Sequence, residues 1–138
     1  MRIMAIDYGD AHTGIAISDP TGLLAGYTTV INAHRPEAVI QQIAQLAKEY
    51  GVEELVLGHP VNMDGTLGPR SEKAHAMKTL LESAISLPVI LWDERRTTID
   101  AHNILFNSGK NAKQRKKVVD AVAASLILEG YLTYRKNH

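Results

Sequence analysis

The chain has 138 residues, with 15 Lys or Arg against 15 Asp or Glu and no cysteine. That length suits a single domain spanning residues 1–138, with a core that needs no covalent staples. The lack of cysteine excludes disulfides and thiolate-held zinc or iron-sulfur sites.

The zero formal charge hides an asymmetry. From Lys110 onward seven basic residues accompany two acids, whereas the first 109 residues carry eight bases and thirteen acids. Such segregation says more about partners than the sum does, and a nucleic acid stays open as a ligand. After Arg2 the chain shows no cleavable-signal pattern, and no apolar run nears membrane-spanning length, so a cytoplasmic protein with no membrane partner is expected.

Residues 2–7 form a short apolar run closed by Asp7. A similar run follows at 15–18, after the segment DYGDAHTG. A turn at Asp19-Pro20-Thr21-Gly22 leads to a third strand, Leu23 to Val30. Three strands so close in sequence predict an antiparallel meander. From Pro36 the apolar period becomes helical through Val39, Ile40, Ile43, Leu46 and Ala47, with Gly51 as the stop. VEELVLG then reads as a strand ending at Gly58, and HPVNMDGTLGPR as a loop.

A second helix is predicted from Ser71 to Ala84, with Ala74, Met77, Leu80, Leu81 and Ala84 on its buried stripe. Leu87 to Trp92 is the fifth strand, with Trp92 in the sheet core, and it runs into Asp93-Glu94-Arg95-Arg96. Thr97 or Thr98 can cap a helix reaching about Phe106. SGKNAKQRKK reads as a basic loop or frayed helix start. VVDAVAASLILEGYL is a helix apolar on nearly all sides, so it is expected to be mostly buried. The order β-β-β-α-β-α-β-α-α predicts an α/β fold with a mixed five-stranded sheet: a three-strand antiparallel meander, two parallel strands, and helices on both faces.

In such sheets ligands bind at the carboxyl ends of the parallel strands. Strand one exits at Asp7, strand four at Gly58-His59-Pro60 and strand five at Asp93-Glu94. Asp120 interrupts the early part of the last apolar helix. An acid closing an apolar strand needs a partner or a cation to offset its desolvation. Three converging carboxylates without cysteine point to an oxygen-preferring cation, Mg²⁺ or Mn²⁺. Two of these elements also have a structural explanation, dipole chemistry before a helix for Asp93 or Glu94 and a first-turn acid for Asp120, whereas Asp7 is harder to explain that way. Gly9 and Gly14 allow a tight hairpin whose backbone can approach a phosphate.

With DYGDAHTG, GHPVNMDGT, WDERRTT and VVDAVAASLIL present in this order, the whole chain resembles the YqgF family. Its members are bacterial RNase H-like proteins described both as pre-16S rRNA nucleases and as Holliday junction resolvases. The resemblance implies an RNase H-like fold, divalent-metal phosphodiester hydrolysis, and trimming of the 5′ end of precursor 16S rRNA during ribosome biogenesis. By position, the family's catalytic and metal-binding acids fall on Asp7, Glu94 and Asp120. Two departures are Tyr8 within D-x-G and His59 where the family's strand-four element reads G-L-P, which leaves the role of His59 open.

The substrate-binding residues expected are Gly9 in the hairpin, Asn62 and Arg70 in the long loop, Arg95 beside Glu94, and Lys113, Arg115, Lys116 and Lys117 ahead of Asp120. The basic residues would attract a phosphate backbone. The six histidines have no metal-ligand spacing. Few aromatics are available for base stacking, so recognition should depend on backbone shape. The partners expected are precursor rRNA, or else branched DNA, together with pre-ribosomal particles, for a monomer or weak homodimer.

Three other classes share parts of this pattern. A junction resolvase would need a dimer carrying two sites. A non-catalytic RNA-binding assembly factor would keep the fold without the chemistry. Actin-like ATPases have a similar D-x-G turn but close two such domains around ATP.

Overall fold

The computed structural model describes residues 1–22, 25–60, 65, 68–94 and 112–137, the side chains of 112–120 excepted. Its elements run β1 (Arg2–Asp7), β2 (His12–Ser18), β3 (Ala25–Asn32), α1 (Pro36–Tyr50), β4 (Val52–His59), α2 (Pro69–Ala84), β5 (Val89–Asp93) and α3 (Ala112–Asn137). The strands form one sheet in the order β3-β2-β1-β4-β5. β1 pairs antiparallel with β2, and β2 with β3, while β1–β4 and β4–β5 are parallel. The predicted meander and crossovers are therefore present, and β1 has a neighbour on each side. The helix expected from Thr97 or Thr98 to Phe106 lies outside the described residues.

Strand alternation divides the sheet into two faces. Met4, Ile6, Ile15, Ile17, Leu55 and Leu57 point to one face and pack with Val39, Ile40, Ile43 and Ala47 of α1 and Met77 and Leu81 of α2. Ile3, Ala5, Ala16, Val56 and Trp92 point to the other and pack with Ala124, Ile127, Leu128, Tyr131 and Leu132 of α3. Helices thus cover both faces. Burial of a side chain such as Ile127 or Leu128 contributes about 1.5–3 kcal/mol, enough for a few such residues to hold α3 in place.

Local signals explain most of the boundaries. Pro36 opens α1, and Gly51 closes it in the left-handed conformation, its N–H bonding to the carbonyls of Ala47 and Lys48. α2 begins two residues before the predicted Ser71 because Pro69 occupies its first turn, a position where no N–H is needed. β3 runs two residues past the predicted end at Val30, since the antiparallel ladder continues to the pair of His12 with Asn32, and Leu23 and Leu24 lie outside the described residues. β5 begins at Val89 rather than Leu87. Pro88, which has no N–H, contributes only its carbonyl, to Leu55 N at 2.9 Å.

Two positions of the predicted buried stripe of α2 fail, Leu80 at 44% exposed and Ala84, which is also exposed, while the polar Ser71 is fully buried. The last helix buries one stripe, with residues 121–123, 125, 126 and 130 only half-buried, so it covers the sheet rather than lying inside the protein.

Candidate active site

Asp7 ends β1 opposite Gly14 of β2, and it is half-buried. On the other side of β1, Ile6 is level with Leu57 of β4. One step further along that ladder, the neighbouring positions are Asp7 and Gly58. Gly58 is in turn level with Trp92 of β5. By alternation from Ile3 and Ala5, from Val56, and from Trp92, the positions Asp7, Gly58 and Glu94 all belong to the α3 face.

Glu94 lies over the gap that Gly58 leaves. A Cβ built on Gly58 would be 3.2 Å from Glu94 Cδ and 2.7 Å from Ile127 Cδ1. The strand-exit glycine therefore lets the carboxylate and the helix approach bare backbone, and glycine within a strand is the sequence signal for such an approach. Glu94 Oε2 is buried and has no hydrogen-bond partner among the described residues. Burial pushes the Glu94 carboxyl above its ordinary range; the charge of Arg70 opposes the rise and that of Asp93 adds to it.

The position of Asp120 follows from α3. Ile127 touches the carboxyl-end residue Gly58, while Tyr131 OH donates to Glu54 Oε1 at 2.5 Å, nearer the amino end of β4. α3 thus runs antiparallel to β4. Position 120 is on the helical repeat of Ala124 and Ile127, roughly 10 Å before Ile127 along the axis, towards the strand exits. Its side chain lies outside the described ones. Among the described residues no group of three acid, His or Cys side chains is gathered to hold a metal. The structure places Asp7 and Glu94 on one face at the exits of β1 and β5, with Gly58 of β4 between them, and for Asp120 only the backbone is described.

The donor set fits a hard divalent cation. Both acids offer oxygen, the chain has no thiol, and a desolvated carboxylate oxygen without a hydrogen-bond partner among the described residues is a group that a cation would stabilise.

The expected substrate residues divide into three sets. Gly9 lies in the hairpin, where a Cβ would be 2.4 Å from the carbonyl oxygen of His12, so no other residue fits without moving the backbone. Arg70 is in the first turn of α2 rather than in the loop; it is exposed and lines a cleft of about 60 Å³ with Tyr8, Gly9, Asp10 and Lys73. Lys113, Arg115, Lys116 and Lys117 lie in the opening turns of α3, so the basic run from Ala112 is helical and continuous with the Asp120 segment. Asn62 and Arg95 lie outside the described residues.

Sequence reasoning left His59 open and passed over Ser71. His59 Nε2 is 2.6 Å from Ser71 Oγ, and its ring meets that of His75 edge-on at 4.7 Å. This contact joins the exit of β4 to the first turn of α2, the turn that carries Arg70. Burial and the neighbouring His75 push the His59 imidazole below its ordinary value, while Asp93 pulls the other way.

A mixed sheet of this order with acids at its parallel strand exits is the RNase H-like scaffold of a nuclease. The chain belongs to the RuvX (YqgF) family: the family model, described as Holliday junction resolvase, matches residues 1–134. A relative from Halothermothrix orenii is 46% identical over 135 residues, covering 98% of this chain and 96% of the relative. One from Pelotomaculum thermopropionicum is 44% identical over 133 residues, covering 96% and 86%. Both are named "Putative pre-16S rRNA nuclease". Among solved structures, T. thermophilus RuvC in complex with a Holliday junction substrate aligns with a TM-score of 0.64 at 14% identity, over 98% of this chain and 96% of that one. At that identity the likeness is one of fold. The family and these relatives are nucleases, enzymes that hydrolyse phosphodiester bonds. No helix among the described residues is long and apolar enough to cross a membrane.

Proposed function

We propose that the protein is a divalent-metal-dependent nuclease that trims the 5′ end of precursor 16S rRNA, using Asp7, Glu94 and Asp120 as catalytic residues and metal ligands. The observation that carries this reading is the placement of Asp7 and Glu94 on one sheet face at the exits of β1 and β5, where Glu94 Oε2 is buried without a hydrogen-bond partner among the described residues. Mg²⁺ or Mn²⁺, when bound, supplies positive charge against the phosphate oxygens and lowers the pKa of a coordinated water.

The protein's own groups hold and exclude. Trp92 and Ile127, both nearly fully buried, keep water from behind Glu94. Arg70 places a cation near Glu94, where its charge favours the carboxylate against burial and the charge of Asp93, and it is exposed enough to meet a phosphate. The basic opening turns of α3 attract the nucleic-acid backbone. Pre-ribosomal particles are the natural context for such a substrate, in the cytoplasm.

A second reading has one observation behind it: the family model is described as Holliday junction resolvase. Purified protein and its Asp7→Asn form should be incubated with a precursor 16S rRNA fragment and a four-way DNA junction, each with Mg²⁺ or Mn²⁺. The expected result is metal-dependent cleavage of the RNA that Asp7→Asn abolishes. Cleavage of the junction alone overturns the substrate, and undiminished cleavage by Asp7→Asn overturns the site.

A further inference from the structure

The cleft beside the hairpin contains a cation that the nuclease reading above does not use. Its walls are Tyr8, Gly9 and Asp10 on one side and Arg70 and Lys73 on the other. Tyr8 packs on the α1 and α2 face of the sheet, opposite to that of Asp7, and the cleft is tied to the proposed centre through Arg70, whose charge acts on Glu94. Arg70 and Lys73 are three residues apart on α2, hence neighbours on one helical face. Their turn is anchored by fully buried Ser71 through His59. Two cations on a fixed turn thus face a backbone wall at Gly9.

Lys73 is engaged: its Nζ lies 2.7 Å from Asp10 Oδ1, with side-chain exposures of 55% and 81%. An ion pair this exposed adds little to stability and separates readily. The hydrogen bond and charge of Lys73 hold the Asp10 carboxyl below its ordinary value, with Arg70 contributing in the same sense. Asp10 thus puts a carboxylate oxygen on Lys73, where a phosphodiester oxygen could stand instead, in a cleft that Arg70 also lines.

We propose that Lys73 and Arg70 hold a phosphodiester adjacent to the scissile one in this cleft, and that Asp10 occupies Lys73 until nucleic acid displaces it. The proposal rests on the nuclease reading and extends it to a defined backbone subsite. Arg70 supplies a planar fork able to bond two phosphate oxygens, and Lys73 a mobile point charge released by exchange. Such a contact reads charge and spacing along the strand and is indifferent to base identity.

Binding is measured without cleavage, in the Asp7→Asn background with Ca²⁺, using a single-stranded RNA covering the 5′ end of the 16S precursor and the four-way DNA junction as probes. Lys73→Gln should weaken binding of the probe that is cleaved and reduce its salt slope by about one. Asp10→Asn should tighten binding, and that gain should vanish in the Lys73→Gln/Asp10→Asn double variant. Replacing one phosphate flanking the cut with a neutral methylphosphonate should cost the Lys73 protein affinity and cost Lys73→Gln none.

An Asp10→Asn gain that persists without Lys73 means a general field effect and overturns the exchange. Equal losses from Lys73→Gln and Asp10→Asn mean that the pair is structural, which overturns the subsite. Failure of the wild type to cleave either probe, with these binding changes intact, removes the nuclease reading while leaving the subsite standing.

Discussion

Glu94 rests against the bare backbone of Gly58, with its Cδ 3.2 Å from where a Cβ would stand. The second neighbour of that phantom Cβ, Ile127 Cδ1 at 2.7 Å, belongs to α3. Strand β4, the acid after β5 and the last helix thus meet at a single missing methyl group.

Gly58→Ala should therefore disturb two things at once. Overpacking a filled interior costs about 1–3 kcal/mol, and Glu94 must shift. Adding Ile127→Val removes the Cδ1 that clashes and should recover much of the lost stability, against its own cost of about 0.5–1.5 kcal/mol. Cleavage should stay depressed in the double variant, because Glu94 is still displaced. Urea midpoints and single-turnover rates check the two effects separately; full recovery of both would mean that only Ile127 needs the glycine.

Glu94→Gln should separate stability from metal binding. Without divalent ions, replacing a desolvated carboxylate by a neutral amide should leave the protein as stable as the wild type or more so, since a buried amide costs less than a buried charge. Mn²⁺ at a hundredfold excess over its Kd should stabilise the wild type by about 2.7 kcal/mol. The variant should lose most of that gain. Thermal melts with and without Mn²⁺ report it, and an undiminished metal shift would remove Glu94 from the ligand set.

The His59–Ser71 contact predicts a pH dependence. The folded imidazole titrates below its ordinary 6.5, so near neutrality and below the unfolded chain binds more protons than the folded one. Stability contributed by neutral His59 is complete above about 6.5 and is lost as pH falls through the lower folded value. His75 on α2 and Asp93 on β5 are the titratable groups facing it. The stability difference between wild type and His59→Gln, taken from urea midpoints at pH 8, 7, 6 and 5, should shrink towards acid. A constant difference would show that the ring is not held neutral.

Tyr131 tests how α3 is fastened. Its hydroxyl donates to Glu54, and burial together with that bond raises the phenol's pKa. Tyr131→Phe should cost about 1.5 kcal/mol, the low end for a bond to a charged group, because half-buried Glu54 can regain water. Cleavage well below the melting temperature should be unchanged. A loss of rate there would mean that the fastening at this end of α3 also sets the far end.

Much of this was readable from residue order. Asp7 announced itself as an acid closing an apolar run, and the change from period two to period 3.6 at Pro36 gave the crossover that makes β1 and β4 parallel. Contacts between elements distant in sequence were not readable. Leu80 fits the helical stripe of α2 as well as Met77 does, yet it is left exposed, because helix position alone does not say where the sheet ends. Ser71 is polar and fully buried only because His59, twelve residues earlier, meets it. Lys73 carries no signal of its own in the sequence, and only the fold brings it to Asp10, 63 residues away in the chain. Gly58 did carry a signal, as a glycine inside a strand, but what approaches it depends on α3.

The placement of Asp7, Gly58 and Glu94 on one face has a consequence for how this chain can tolerate length changes. Side chains alternate along a strand, so deleting one residue from β1 or β5 turns its acid to the α1 and α2 side and sends core residues to the opposite face. Deleting two restores the facing while shortening the strand. A scan of deletions through these strands should therefore show damage with a period of two, whereas length changes between Asp19 and Gly22, in the turn after β2, should show no such period.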